Sequence, residues 1–439
     1  VSGLCHSLNK YGVRLITKRN KVELIDNLGS YRLLVNGKKF FIKGAGLEFG
    51  GIKSLARLGG NAFRTWRIED GDKRALQILD EAEESGLLVC MGIDVARERH
   101  GFNYNDKEAV AGQLKSIRRD VERLKHHPAL LMWGIGNELN LRHENPCVWD
   151  AVNEISEMIH IIDGNHPTTT MLAGAEPEII KIVSERCQDL DLLSFQMYGD
   201  IAKLPEYLRL SNYEGAYTVS EWGVTGHWEV PCTPWGRPIE QTSSEKAAVI
   251  ESRYNNFIIT NKNQCLGAFV FLWGQKQERT PTWYGLFLEN GRHTEMMQTM
   301  YFLWTGKLSE RPLPTRLSMT VLDENGKNVI TLVANSAYKA HIQFYYQQEH
   351  RLNYRWELME EVDKASESDG GDLEVQPAIL WTKKFYNVNE LIFYAPKPGE
   401  YRLFIYVEDP FNGASTANIP LLVVANGTLA NQTTKLMRE

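Results

Sequence analysis

Eight apolar runs, each followed by a stretch with helical periodicity, occupy residues 40–304 of this 439-residue chain. In order they read FFIKGAG, NAFRTWR, LLVCMGID, ALLMWGIGNE, TTTMLAG, DLLSFQMYG, AYTVSEWG and LGAFVFLWG. Strands apolar throughout, rather than alternating with polar residues, belong to a parallel sheet covered on both faces. Eight strand–helix repeats predict closure into a (β/α)8 TIM barrel. An open doubly wound sheet is the other arrangement with this rhythm, but it would carry a Gly-rich phosphate turn after its first strand, and none is present. The clearest helix follows Asp106, a good N-cap. Its apolar residues Val110, Leu114, Ile117, Val121 and Leu124 form one stripe, and Pro128 lies just beyond its last turn.

Short strand signals precede the barrel, with Asn36-Gly37 as a two-residue hairpin turn. Near residue 310 the pattern changes. Pro312 and Pro314 mark a linker, and five strand signals without helices follow, separated by turns such as ENG, SDGG and KPGE. This second region reads as an immunoglobulin-like β-sandwich. The expected division is therefore 1–311 for the barrel with its N-terminal hairpin segment and 312–439 for the sandwich. The ESDGGD stretch is expected to be an exposed loop and the polar tail after Val424 to be mobile.

Composition narrows the function. Lys and Arg number 49 against 55 Asp and Glu, a net charge of −6 with no basic block, so no nucleic-acid partner is expected. No apolar run reaches the ~18 residues of a membrane span. A hydrophobic fraction of 43% and an aromatic fraction of 10% suit a large core. The six cysteines are irregularly spaced, which supports neither a zinc ribbon nor a disulfide scaffold, and Cys90 and Cys265 sit in apolar runs as small hydrophobes. The chain begins with Val1, so a processed, extracytoplasmic protein is expected, periplasmic, cell-surface or secreted, with its targeting segment removed. Cys5 is read as an ordinary thiol rather than a lipid anchor. The sequons at Asn426 and Asn431 matter only in a eukaryotic secretory chain. A monomer is expected.

Chemistry in such a barrel collects where strands end. The second run ends in Arg64, Thr65, Trp66 and Arg67, and the third in Asp94, with Arg97 beyond it. The fourth ends in Asn137 and Glu138, the sixth in Tyr198, the seventh in Glu221 and Trp222, and the eighth in Trp273. Two carboxylates ending apolar strands, with aromatic and amide neighbours, suit glycosidic-bond hydrolysis: one protonates the leaving oxygen, and the other attacks carbon or activates water. That chemistry needs no cofactor or metal; the substrate is a polysaccharide or oligosaccharide. The segment 224–241, rich in Pro and Trp, is a candidate cleft wall, and Trp228, Trp235 and Trp283 join Trp222 as candidate sugar-stacking residues. His126-His127 lacks metal-ligand spacing, and His127 is read as structural.

HHPALLMWGIGNEL resembles the acid/base strand of clan A retaining glycoside hydrolases, above all family 2, the β-galactosidase and β-glucuronidase group. LLVNGKKFFIKGAG, LARLGGNAFRTWR, TVSEWG and GAFVFLWG resemble the other strands of that barrel, in order, over roughly residues 31–305. The resemblance implies Glu138 as general acid/base and Glu221 as nucleophile. It also implies Asn137 as the ligand of the hydroxyl beside the anomeric carbon, Arg64 and Tyr198 as the groups aligning the nucleophile, and Trp273 as sugar platform before a cis Trp273–Gly274 peptide. The chain departs from family 2: no jelly-roll precedes the barrel, and the acidic residue usual after the eighth-strand tryptophan is missing. A barrel with one C-terminal immunoglobulin-like domain resembles family 158, the endo-β-1,3-glucanases, which makes laminarin-type cleavage the favoured expectation. An exo-acting family 2-type glycosidase and a non-catalytic carbohydrate-binding barrel are the alternatives.

Overall fold

The computed structural model describes residues 8–9, 12–13, 20–47, 51–69, 74–347, 351–364, 367 and 374–426. Cys5, the tail beyond residue 426 with its sequon threonines, and most of ESDGGD lie outside these residues. The chain divides into two compact units.

The first unit spans 1–48, 52–222 and 257–270. It opens with a short antiparallel pair, β1 (Leu8–Asn9) and β2 (Gly12–Val13), then a meander of β3 (Val22–Asp26), β4 (Tyr31–Val35) and β5 (Lys38–Phe40). Asn36 and Gly37 take φ values of 52° and 76°, the left-handed pair a tight hairpin turn requires. Eight parallel strands then close on themselves: β6 (Ile42–Gly46), β7 (Ala62–Arg64), β8 (Leu88–Ile93), β9 (Leu130–Asn137), β10 (Thr168–Ala173), β11 (Leu192–Gln196), β12 (Tyr217–Trp222) and β13 (Cys265–Val270), the last pairing with β6. This is a TIM barrel. Every residue of β9, β12 and β13 is buried, as unbroken apolar strands imply.

Among the described residues, six α-helices belong to this unit: α1 (Ile52–Arg57), α2 (Ala75–Ser85), α3 (Lys107–Leu124), α4 (Cys147–Ile162), α5 (Pro177–Arg186) and α6 (Leu204–Ser211). Asp106 caps α3 by accepting from the Glu108 and Ala109 N–H groups, and the stripe buries Ile117, Val121 and Leu124.

The second unit comprises 49–51, 223–256 and 271–439. It holds α7 (Ser243–Arg253), the hairpin β14 (Lys276–Glu278) and β15 (Thr280–Tyr284), and α8 (Glu295–Thr305). The sandwich follows. Strands β16 (Thr315–Leu322), β17 (Thr331–Val333), β18 (Ala337–Tyr345), β19 (Asn353–Glu360), β20 (Ile379–Tyr386), β21 (Glu390–Tyr394), β22 (Gly399–Glu408) and β23 (Ala414–Val424) form sheets ordered β16-β18-β21 and β17-β23-β22-β19-β20. Compactness thus does not change over at residue 311. Segments 223–256 and 271–311 group with the sandwich because a buried polar network joins them. Lys246 Nζ meets Glu240 Oε1 at 2.5 Å, both side chains about fully buried. Glu240 Oε2 accepts from Asn418 Nδ2 and Thr280 Oγ1, each at 2.6 Å, and Arg402 reaches the Pro238 carbonyl at 3.1 Å. Burial alone would push the Glu240 carboxyl up, but the Lys246 ammonium outweighs it and holds it below its ordinary value.

In the first unit, an ion cluster ties α4 to the segment leading into β11. His160 Nδ1 meets Asp189 at 2.7 Å and Nε2 meets Asp191 at 2.9 Å. The Asp191 hydrogen bond, reinforced by both charges, outweighs desolvation and raises the imidazole from 6.5 to about 9. A folded value above the unfolded one means that the stabilisation is fully present below pH 6.5 and is lost as pH rises through about 9. The stability difference between the wild type and His160→Gln, read by urea denaturation, is therefore expected to be constant below this window and to vanish above it. A difference that grows with pH would contradict this assignment.

Candidate active site

The site grows from the C-terminal ends of the barrel strands. At the end of β9 the chain bulges: β10 residues Thr169 and Met171 face Gly134 and Asn137, so one extra β9 residue is accommodated. Gly136 makes this possible. Its φ is 75°, and a Cβ there would lie 2.5 Å from Leu139 Cδ1. The bulge sets the side chain of Asn137 among those of β7 and β11. Glu138 follows with φ of 52°, so the strand's alternation of faces stops at the residue expected to carry the proton.

Four donors converge on Glu221, the last but one residue of β12, which lies opposite Gln196 of β11 and is 5% exposed. Oε1 accepts from Trp66 Nε1 at 2.8 Å, Gln196 Nε2 at 3.1 Å and Arg64 Nη1 at 3.2 Å, and Oε2 accepts from the Tyr198 hydroxyl at 2.8 Å. An ionised carboxylate is acceptor-only with about four lone-pair positions, so this donor set matches it. The same two nitrogen-bearing side chains bind the amide of Asn137: Arg64 Nη2 and Gln196 Nε2 each reach Oδ1 at 2.7 Å. Because Oδ1 takes both donors, the Asn137 Nδ2 hydrogens are left for a ligand hydroxyl. Among the described residues, Gln196 Oε1 and Arg64 Nε are buried without a hydrogen-bond partner, an acceptor and a donor that a bound hydroxyl or water would satisfy.

Arg64 is 1% exposed and lies over the Trp66 ring, 4.9 Å from its centroid. Gly46 leaves room for that ring, since a Cβ there would lie 2.7 Å from it. Trp66, one of the candidate residues ending the second run, therefore acts on the carboxylate.

Of the expected site residues, the structure joins Arg64, Trp66, Asn137, Tyr198 and Glu221 in one hydrogen-bonded group, with Glu138 adjoining Asn137. Asp94 is not drawn in: its exposed carboxylate pairs with Arg97 at 3.3 Å. Trp222 is packed away at 1% exposure. Within the second unit, Trp273 is wholly buried, stacked on Trp304 at 5.7 Å with Phe287 edge-on, and Trp283 is 1% exposed and donates to the Thr225 carbonyl at 3.0 Å. None of these three presents an open ring face for a sugar. Trp235 is half-buried, and Trp228 is 60% exposed. The expected cis bond at Trp273–Gly274 is corrected: the non-proline cis peptide is Phe271–Leu272. Sequence reasoning missed Gln196, although it is the polar residue ending the apolar run DLLSFQ.

One group could hold a metal by proximity. Ligand atoms of Asp80, Glu83 and His127 lie within 4.8 Å of one another. However, His127 Nδ1 accepts the Ala129 N–H at 3.1 Å, so in the neutral ring Nε2 carries the hydrogen and faces Asp80 at 3.3 Å. The cluster sits before the N-terminal end of β9, away from Glu138, and its imidazole is already used on both sides.

Residues 57–228 match the family described as Glycosyl hydrolases family 2, TIM barrel domain. The barrel is family 2-like. A curated β-glucuronidase of Paenibacillus borealis is 21% identical over 215 residues, 44% of this chain and 34% of that protein. A Bifidobacterium dentium β-glucuronidase, solved with coumarin-3-O-glucuronide, superposes with a TM-score of 0.51 at 17% identity, over 65% of this chain and 49% of that one. A putative β-galactosidase from Bacteroides fragilis gives a TM-score of 0.50 at 12% identity, over 97% and 61%. At these identities the two solved structures speak for the fold alone. The chain spans about a third of the length of the curated relative.

Removing Arg64 tests the network. Arg64→Met leaves a buried carboxylate without its cation and is expected to destabilise the fold by about 3–5 kcal/mol in chemical denaturation. Arg64→Lys is expected to recover only part of this, because a point charge cannot bridge two acceptors. Wild-type stability in Arg64→Met would contradict the network.

Proposed function

We propose that this chain carries the catalytic barrel of a retaining β-glycosidase of β-glucuronidase or β-galactosidase type. The observation that carries this reading is the Glu221 carboxylate, held by four donors, two of which also hold the residue next to Glu138. In this mechanism Glu221 Oε attacks the anomeric carbon while Glu138 gives its proton to the departing oxygen. The glycosyl ester that forms has taken the place of the Glu221 charge. Glu138, now ionised, removes a proton from water, which attacks the same carbon and returns Glu221 as carboxylate. Asn137 Nδ2 binds the neighbouring hydroxyl during both steps. The β-glucuronidase relative supports this reading over the endo-β-1,3-glucanase expected from domain layout.

One observation favours an extended substrate instead. Trp228 is the one exposed tryptophan among the described residues. Its ring lies against Gly226, where a Cβ would be 2.6 Å away, and edge-on to His227 at 4.8 Å. His227 in turn pairs with Glu278 at 3.2 Å; burial would raise that carboxyl, but His227 and Lys276 hold it at about 2. A rigidly supported open indole suits the apolar face of a sugar ring.

A panel of 4-nitrophenyl β-glycosides, glucuronide and galactoside first, beside laminarin, xylan and mannan separates the two readings. Turnover of an aryl glycoside is expected, and release of oligosaccharides from laminarin without it would establish the endo-glucanase. Glu221→Ala is expected to abolish turnover, with azide restoring part of it as a glycosyl azide of inverted configuration. Normal hydrolysis by that variant would overturn the proposal.

A further inference from the structure

Three consecutive side chains, Arg97, Glu98 and Arg99, reach from the turn after β8 to the backbone that carries Glu138 into α4. Arg97 Nε donates to the Asn137 carbonyl at 3.3 Å, and Arg99 Nη1 donates to the Glu138 carbonyl at 2.7 Å. Glu98 Oε2 accepts the N–H groups of Glu144 at 2.8 Å and Asn145 at 3.0 Å. Those two backbone hydrogen bonds, led by the one from Asn145, hold the Glu98 carboxyl below its ordinary value. The turn is itself fixed. The Ala96 N–H donates to Gln113 of α3 at 2.8 Å, and the hydroxyl of buried Tyr104 donates to the Ala96 carbonyl.

We infer that this turn is a clip whose Arg99 positions the acid/base. The inference rests on the reading of Glu138 as that group. Glu138 stands at φ of 52°, in the left-handed region, where a residue with a Cβ is disfavoured. Nothing in its own sequence selects that conformation. Hydrogen bonds hold it there: the Glu138 N–H donates to the Met171 carbonyl at 2.9 Å, and the Glu138 carbonyl accepts both the Leu141 N–H at 3.1 Å and the charged Arg99 Nη1 at the end of the bulge. Arg97 fixes the preceding peptide in the same way, so the two peptides flanking the Glu138 Cα are both held by charged donors. Through that carbonyl Arg99 keeps one carboxyl in reach of both the departing oxygen and the incoming water.

Acid catalysis has a signature that general loss of structure lacks. A phenyl leaving group must be protonated as it departs, whereas 2,4-dinitrophenolate leaves unaided. Arg99→Met, assayed on both β-glycosides of the sugar the wild type turns over, is expected to lose roughly 10–100-fold in kcat/KM on the phenyl substrate and little on the dinitrophenyl one. Turnover of the latter becomes limited by the water step, and azide is expected to accelerate it with a glycosyl azide of retained configuration. Arg99→Lys, which keeps a donor, is expected to recover most of the loss, and Arg99→Gln serves for the same comparison if Arg99→Met fails to fold. Equal losses on the two substrates, or none, would overturn the clip. A crystal structure of the variant gives a readout independent of activity: Glu138 is expected to leave the left-handed region, and an unchanged φ overturns the inference. If the wild type hydrolyses no aryl glycoside or polysaccharide, the proposed function fails, and the clip stands or falls on that φ alone.

Discussion

The buried pairing of Arg64 with Glu221 is the constraint around which the barrel mouth is arranged. A carboxylate at 5% exposure is tolerated only with partners, and a guanidinium at 1% exposure needs acceptors on more than one side. Both needs are met by four strands at once. Arg64 comes from β7, Asn137 from the end of β9 and Glu221 from β12, while Gln196 of β11 bridges the last two. The planar fork of arginine suits this position because its two terminal nitrogens point at different acceptors. Displacing any one strand end would break contacts to the others, so the register of the barrel and the geometry of the Glu221 carboxylate are one problem.

That coupling explains the irregularity at the end of β9. A regular strand would place successive side chains on opposite faces, which would put Asn137 or Glu138 out of play. The bulge at Gly136 and the left-handed Glu138 bring consecutive residues to related tasks, one binding the Arg64–Gln196 pair and the other, in the proposed mechanism, carrying a proton. Strain of this kind persists only when the surroundings over-determine it. The clip from the β8 turn supplies that determination from outside the hydrogen-bonded cluster.

Much of this was legible in the sequence because parallel strands buried on both faces leave unbroken apolar runs, and site residues fall at their ends. All eight barrel strands, the Asp106 cap and the group Arg64, Asn137, Tyr198 and Glu221 follow from that rule. Other features leave no such trace. Strand β23 contains Pro420, which reads as a breaker, and β20 is an edge strand with little burial. The grouping of 223–256 with the sandwich rests on contacts such as Glu240 to Asn418, which no local pattern encodes. Arg99 binds a backbone carbonyl, and any residue type supplies one, so spacing gives no hint of it. Trp273 misleads for the opposite reason: it ends a strand, yet its ring is taken up by packing on Trp304.

The central claim is that Glu221 forms a bond to the anomeric carbon and that Glu138 then delivers water to the face the leaving group has vacated. Following the first seconds of hydrolysis of a β-glycoside by proton NMR reads this directly. The account expects the β-anomer of the free sugar to appear first and the α-anomer only later, by mutarotation. Initial release of the α-anomer would mean that water attacks from the opposite side without a covalent intermediate, and the roles given to Glu221 and its four donors would be wrong.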